Sequence, residues 1–340
     1  MWSSQMCAIL RKRFLQRTFS AMRFESTTTQ KQPKRGKLFD RRMKTKQRDY
    51  LASLENAEVF EYIKEEFGYR MADRVLDIKR KFNVLVELGC GRGYVAPNLF
   101  NDMVDTYFAC DTSVKSLEHT KELPGVNFQR LLVDEEHIPL RNDTVDIVVS
   151  SLSLHWINEL PETFKSILNI LKNDGAFLGS IFGGQTLFEL RSSLQLAETE
   201  REGGFAPHIS PFVQTIDVGA LLTRAGFTLQ TIDVDEMVVN YPTMFELLTD
   251  LQCMAESNAA FKRKLHLNRD TMFSAAAIYK DMYANEDGSI PATFQIYNFI
   301  GWKPDPSQPK PAERGSGQFS LKDIHEFEKF MSESLKKEDK

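Results

Sequence analysis

Glu87-Leu88-Gly89-Cys90-Gly91-Arg92-Gly93 is the segment of this 340-residue chain whose residue types and spacing most directly offer chemistry. Glycine carries no Cβ, so a glycine at every second position lets the backbone turn tightly and approach a ligand closely. The run follows the apolar stretch Val84–Leu88 and is expected to open a helix. Asp111 stands twenty residues after Gly91, at the end of a second apolar stretch. Two carboxylate oxygens there match the adjacent hydroxyls of a ribose. A dinucleotide fingerprint needs its third glycine at position 94, where this chain has Tyr94, which weakens a nicotinamide reading. Asp134 follows a third apolar run, Leu131-Leu132-Val133, where it could receive an adenine amine; an acidic turn with Glu135 and Glu136 is the plain alternative. With Glu87 and Ser150, at the ends of the first and fourth runs, the candidate ligand set is Glu87, Gly89, Gly91, Gly93, Asp111, Asp134 and Ser150.

Candidates for the chemical step are fewer. The histidines stand at 119, 137, 155, 208, 266 and 325, and none forms an HxD or HxE pair, so no metal ligands are assigned. His155-Trp156 follows the fourth run, where open α/β sheets meet their substrates. The charged stretch Glu189–Glu202 leads into Gly203-Gly204-Phe205-Ala206-Pro207-His208. A solvated helix face is the ordinary reading of such charge. Acids near a cleft would instead suit a cationic substrate such as an arginine, through forked carboxylate pairing. His155, Glu198 and His208 are the catalytic candidates.

These residues need elements to position them. Residues 39–82 carry Phe60, Ile63, Phe67 and Met71 at helical steps. Short apolar runs at 84–88, 105–110, 146–150 and 176–181 then alternate with helical periods, which predicts a parallel sheet covered on both faces. Leu160, Phe164, Ile167, Leu168 and Leu171 mark one helix, and Asn173-Asp174-Gly175 is expected to end it. Further helices are expected over 185–201 and from Met244 and Met272, with strands at 231–240 and 293–302. The expected organisation is 1–38 as a leader, 39–82 helical, 83–303 as the main domain with insertions at about 183–215 and 243–285, and 304–340 as a Pro-rich linker with a helical tail.

Composition narrows the function. Residues 1–38 hold nine Lys or Arg and only Glu25 as an acid, leaving the other 302 residues at a net −12. A body that acidic disfavours nonspecific nucleic-acid binding. The basic, hydroxyl-rich start has the make-up of a mitochondrial transit peptide, and Arg17-Thr18-Phe19-Ser20 resembles a processing site cut after Phe19. No apolar run reaches the ~18 residues of a membrane span. Cys7, Cys90, Cys110 and Cys253 form no CxxC pair, which suits a reducing compartment.

The glycine loop, Asp111, Ile138-Pro139-Leu140 and Ala225-Gly226-Phe227 together resemble the class I S-adenosylmethionine-dependent methyltransferase fold, over about residues 80–240. That implies a Rossmann-like, mostly parallel seven-stranded sheet with helices on both faces. A narrower resemblance covers about 39–316. Phe39-Asp40-Arg41, Ser150–Trp156, Phe182–Arg191 continuing to Phe212, Asn240–Leu247, Glu256-Ser257-Asn258, 284–303 and 311–316 look very similar to a mitochondrial complex I assembly factor family of protein arginine hydroxylases. The resemblance implies hydroxylation of one arginine on the iron–sulfur subunit of the quinone module of NADH:ubiquinone oxidoreductase, early in its assembly. It also implies a retained S-adenosyl-L-methionine pocket, an oxygen-activating cofactor of unknown type, contact with other assembly factors, and a peripheral place on the matrix side of the inner membrane. A methyltransferase and a non-catalytic assembly chaperone are the competing expectations.

Overall fold

A computed structural model describes residues 37–310 and 314–316. The expected processing site near Phe19 and the helical tail at 320–336 lie outside the described residues. Seven strands form one sheet: β1 Phe82–Leu88, β2 Val104–Asp111, β3 Asn127–Leu132, β4 Val145–Ser151, β5 Leu171–Phe182, β6 Thr228–Tyr241 and β7 Ile290–Trp302. Their order is β3-β2-β1-β4-β5-β7-β6. The first five run parallel, and β7 is antiparallel to both of its neighbours. The helices are α1 Arg41–Ala52, α2 Tyr62–Leu76, α3 Val114–Glu118, α4 Leu160–Ile170, α5 Phe188–Glu202, α6 Thr215–Ala225, α7 Met244–Cys253 and α8 Arg269–Tyr283.

The strands are apolar at consecutive positions because both faces are covered. Leu85, Ile147, Val149, Ala176 and Leu178 pack with Met71 and Val75 of α2. The alternating Val86, Val148 and Phe177 pack on the other face with Phe164 and Ile167 of α4 and Val218 and Leu222 of α6. The expected insertions form a third layer: α5, α7 and α8 close over Phe294 and Ile296 of β7, through Leu190, Leu247 and Tyr279.

Two local expectations fail, each for a physical reason. Asn173-Asp174-Gly175 does not separate helix from strand. α4 stops at Ile170, and these residues bulge within β5, where partners two apart on β4 (Val145 and Ile147) meet Leu171 and Ala176. Asp174 takes the positive φ of 56° that such a bulge needs. The glycine loop also does not open an α-helix. It leads through turns to a short 3₁₀ segment, Ala96–Asn98. Tyr94 is fastened through its hydroxyl to Glu61 at the start of α2. Gly68 of α2 permits this, since a Cβ there would lie 2.5 Å from Tyr94 Cβ. Both segments break the apolar pattern, and the sheet and α2 decide what each break becomes.

Candidate active site

β1 lies between β2 and β4, so the connections leaving its carboxyl end and theirs diverge and leave a crevice. Gly89 and Gly91 line its floor with φ of 71° and 55°, a left-handed conformation that glycine adopts without a Cβ penalty. Gly93 (φ 78°), also expected to face a ligand, packs instead against Thr120 and Lys121. Gly89 N and Cys90 N both donate to Cys110 O, at 2.8 and 3.0 Å, which pins the loop to the end of β2. Asp111 is fully buried at that strand end. Its Oδ2 accepts from Gly91 N at 3.0 Å and its Oδ1 from Ser113 N at 2.8 Å. The loop and the carboxylate that the sequence paired therefore meet.

The occupant of the crevice was not legible. Arg48 of α1 reaches in, with Nη1 3.2 Å from Asp111 Oδ1 and 3.2 Å from Glu135 Oε1, and Nη2 2.8 Å from Ser153 Oγ. The remaining cavity is about 20 Å³, room for about one or two waters. Arg41 also binds Glu135. Burial pushes the Glu135 carboxyl up, but Arg41 and Arg48 outweigh it and hold the group at about 2. The acid turned into the crevice is thus Glu135. Asp134, the residue predicted to face a ligand there, is half-exposed and binds Arg41 Nη2 at 2.9 Å.

Two other predicted ligand groups are committed elsewhere. Ser150 Oγ donates to Leu88 O at 2.9 Å, tying β4 to β1. Glu87 lies buried and accepts from Tyr107 OH at 2.6 Å. Burial pushes its carboxyl up to about 8. Both are corrected from ligand groups to supports of the strands that carry the loop.

A second polar cluster adjoins the first. Leu152 (φ 47°) and Ala255 (φ 63°) are non-glycine residues in the left-handed region, directly before Ser153 and Glu256. Those turns point Ser153 and Glu256 inward. Glu256 Oε2 receives Trp156 Nε1 at 2.9 Å and lies 3.2 Å from His155 Nε2. Lys64 Nζ stands 3.5 Å from Glu256 Oε1 and Lys44 Nζ 3.8 Å from Oε2. Burial would raise the Glu256 carboxyl, but Lys44, Lys64 and His155 hold it well below the usual range. Burial lowers His155. Glu256 is therefore the anion and His155 the neutral donor through Nε2. His155 Nδ1 is left as a buried acceptor with no protein partner, beside the rings of Phe182 and Phe212.

None of the three catalytic candidates lines the cavity beside Arg48; His155 touches it through Glu256, and the other two meet each other. His208 Nε2 lies 2.8 Å from Glu198 Oε1, and Lys264 Nζ lies 2.9 Å from the same oxygen. Ala206 N donates to Glu198 Oε2 at 2.7 Å. Burial pushes Glu198 up, but Lys264, the Ala206 amide and His208 hold it at about 2. Glu189 is spent on Thr293 and Glu202 on Lys264. These acids fasten α5 to its neighbours, which corrects their reading as a cation site. Among the described residues, one trio of potential metal ligands converges, Asp134, Glu136 and His137, with ligand atoms within 4.8 Å of one another. Arg41 on Asp134 and the Asn158 amides on Glu136 already take up its carboxylates.

Sheet order, glycine loop and buried strand-end acid define the class: a Rossmann-like methyltransferase fold. A family model described as a methyltransferase domain matches residues 86–179. A methyltransferase-type structure from Bacillus halodurans C-125, 16% identical, covers 70% of this chain and 99% of that one with a TM-score of 0.50. Relatives in sequence are more specific. Mitochondrial arginine-hydroxylase NDUFAF5 of Danio rerio is 52% identical over 87% of this chain and 92% of its own length. The Homo sapiens protein of that name is 52% identical over 88% of this chain and 86% of its own length. The chain belongs to this mitochondrial arginine-hydroxylase family.

Proposed function

We propose that the protein hydroxylates an arginine of a partner protein in the mitochondrion, and that His155 and Glu256 help hold that arginine. The observation that carries the reading is the 52% identity over most of the chain to proteins named arginine-hydroxylase. The site adds chemical sense. A guanidinium is planar, cationic and rich in N–H donors. His155 Nδ1 offers a buried lone pair, Phe182, Phe212 and Trp156 supply ring surfaces, and Glu256 supplies a negative charge. Hydroxylation replaces a C–H by C–OH, so dioxygen, electrons and an oxygen-activating group must also take part; the residues described here bind and orient.

The partner is the iron–sulfur subunit of the quinone module of NADH:ubiquinone oxidoreductase, modified early in assembly on the matrix side of the inner membrane, where the protein sits peripherally beside other assembly factors. The long motif at 182–212 supports this reading. Mass spectrometry of that subunit, with and without this protein, tests it: an unchanged hydroxyarginine would remove the claim.

A second reading concerns the crevice itself. Gly89–Gly93 and buried Asp111 favour an S-adenosyl-L-methionine site, and with it a methyltransferase activity. The crevice does not admit that group as it stands, because Arg48 lies on the carboxylate that a ribose would need. Transfer of a labelled methyl group to the partner subunit would support the activity, and binding without transfer would limit the site to a ligand pocket.

A further inference from the structure

α1 buries one face, and two of the four residues on it, Lys44 and Arg48, are cations. Its sequence, RRMKTKQRDYLA, is mostly polar, and its apolar anchorage within the helix is limited to Leu51 and Ala52. Arg41, Lys44 and Arg48, spaced by three and four residues, share one face of the helix. The three meet the acids of the crevice, with Glu135 shared between Arg41 and Arg48. Arg41 takes Asp134 and Glu135. Lys44 lies 3.8 Å from Glu256, with its Nζ 3.3 Å from the centre of the Trp156 ring. Arg48 takes Asp111, Glu135 and Ser153.

Buried ion pairs are weak devices for stability, since desolvation offsets most of their attraction. α1 is also anchored by Leu51 against Ala57 and Ala255, by Asp49 on Ser113 and, just before it, by Phe39 on Trp156. The ion pairs are the part of its anchorage that a ligand satisfying the same acids can replace. The acid at stake is the one a ribose diol would engage, and Arg48 now donates to its Oδ1. About 20 Å³ of space remains beside it, so an adenosyl ligand and Arg48 cannot share the crevice.

We propose that α1 is an internal stand-in for the ligand: Arg48 occupies the ribose position on Asp111, and an adenosyl ligand binds only as α1 withdraws from the crevice. Binding and the opening of α1 are then one event. Withdrawal also uncovers Glu256 and the face of Trp156, so the arginine site of the preceding section becomes accessible when the adenosyl site is filled. The inference rests on reading the crevice as an adenosyl site.

Hydrogen exchange on the full chain, with and without saturating S-adenosylhomocysteine, tests it. Amides of residues 41–52 are expected to lose protection on saturation while those of the glycine loop gain it. Calorimetry on Arg48→Gln is expected to give a dissociation constant lower by about tenfold or more, because the fraction of competent molecules rises. Saturation with α1 still protected, or equal affinity in the two proteins, would overturn the stand-in and leave the adenosyl reading in place. No binding to either protein would overturn both. The exchange measurement uses the unaltered chain, so it holds even if Arg48→Gln folds poorly with Asp111 and Glu135 facing each other.

Discussion

His155 Nε2 and Glu256 Oε2 lie 3.2 Å apart although 101 residues separate them in the chain. The contact fixes the imidazole tautomer, because an ionised carboxylate can only accept. It leaves Nδ1 as the free lone pair of a ring packed beside Phe182 and Phe212. His155→Phe keeps an aromatic ring of similar size but removes that lone pair. Hydroxylation of the partner arginine, followed by mass spectrometry, is expected to fall by about tenfold or more, beside a stability loss of about 1–3 kcal/mol from the lost His155 bond to Glu256. Full activity in a folded His155→Phe protein would show that Nδ1 does not hold the substrate.

Glu256 serves Trp156, His155, Lys44 and Lys64 together. Glu256→Gln leaves Lys44, Lys64 and His155 without their shared anion. Removing one partner of a buried pair costs about 3 kcal/mol. The loss should appear as a lower midpoint in urea unfolding, with the slope of the transition unchanged.

Asp111→Ala deletes the acceptor for Gly91 N, Ser113 N and Arg48 at once. We expect a loss of about 3 kcal/mol in the ligand-free protein. The double variant Asp111→Ala, Arg48→Ala should lose less than the sum of the single changes, since each single change strands the other's partner. Additive losses would show that the pair is not coupled.

Gly89→Ala places a Cβ 2.1 Å from Ser153 Oγ and demands a φ of 71° from a residue with a side chain. The expected cost is about 2 kcal/mol or more. A calorimetric melting temperature equal to that of the unaltered protein would show that the loop can relax around Ser153.

Glu87 gives a pH dependence with a definite sign. Its carboxyl sits near 8 in the fold because it is buried, whereas an unfolded chain titrates near the ordinary value of about 4.3. Between those values the folded state holds a proton that the unfolded state has lost. Its contribution to stability is therefore complete below about pH 4.3 and declines as pH rises toward 8. Glu87→Gln keeps an acceptor for Tyr107 but does not titrate. Denaturant unfolding should show the variant gaining on the unaltered protein from pH 5 to pH 8, by roughly 3–4 kcal/mol.

Much of this molecule is local and could be read from residue order. Alternating apolar runs and helical periods predicted a covered parallel sheet, because strand and helix spacing depend only on which side chains face a core. The glycine loop and Asp111 were visible for the same reason: each follows its own strand directly, and parallel pairing brings those strand ends together. The family resemblance was legible too, in long motifs such as 182–212.

What tertiary structure decided was which polar groups face each other. Glu135 and Asp134 are adjacent in sequence, and only the course of the chain after β3 buries one and leaves the other half-exposed. Arg48 carries no local sign of its role until α1 is set beside α3 and α7 and its guanidinium meets Asp111, Glu135 and Ser153. Glu256 carries no local sign of its place beside His155. Ser150 and Glu87 could not be recognised as supports until their partners, Leu88 O and Tyr107, were placed. Apolar burial is written into periodicity, but a buried charge declares itself only through its counter-charge, and here those counter-charges lie far along the chain.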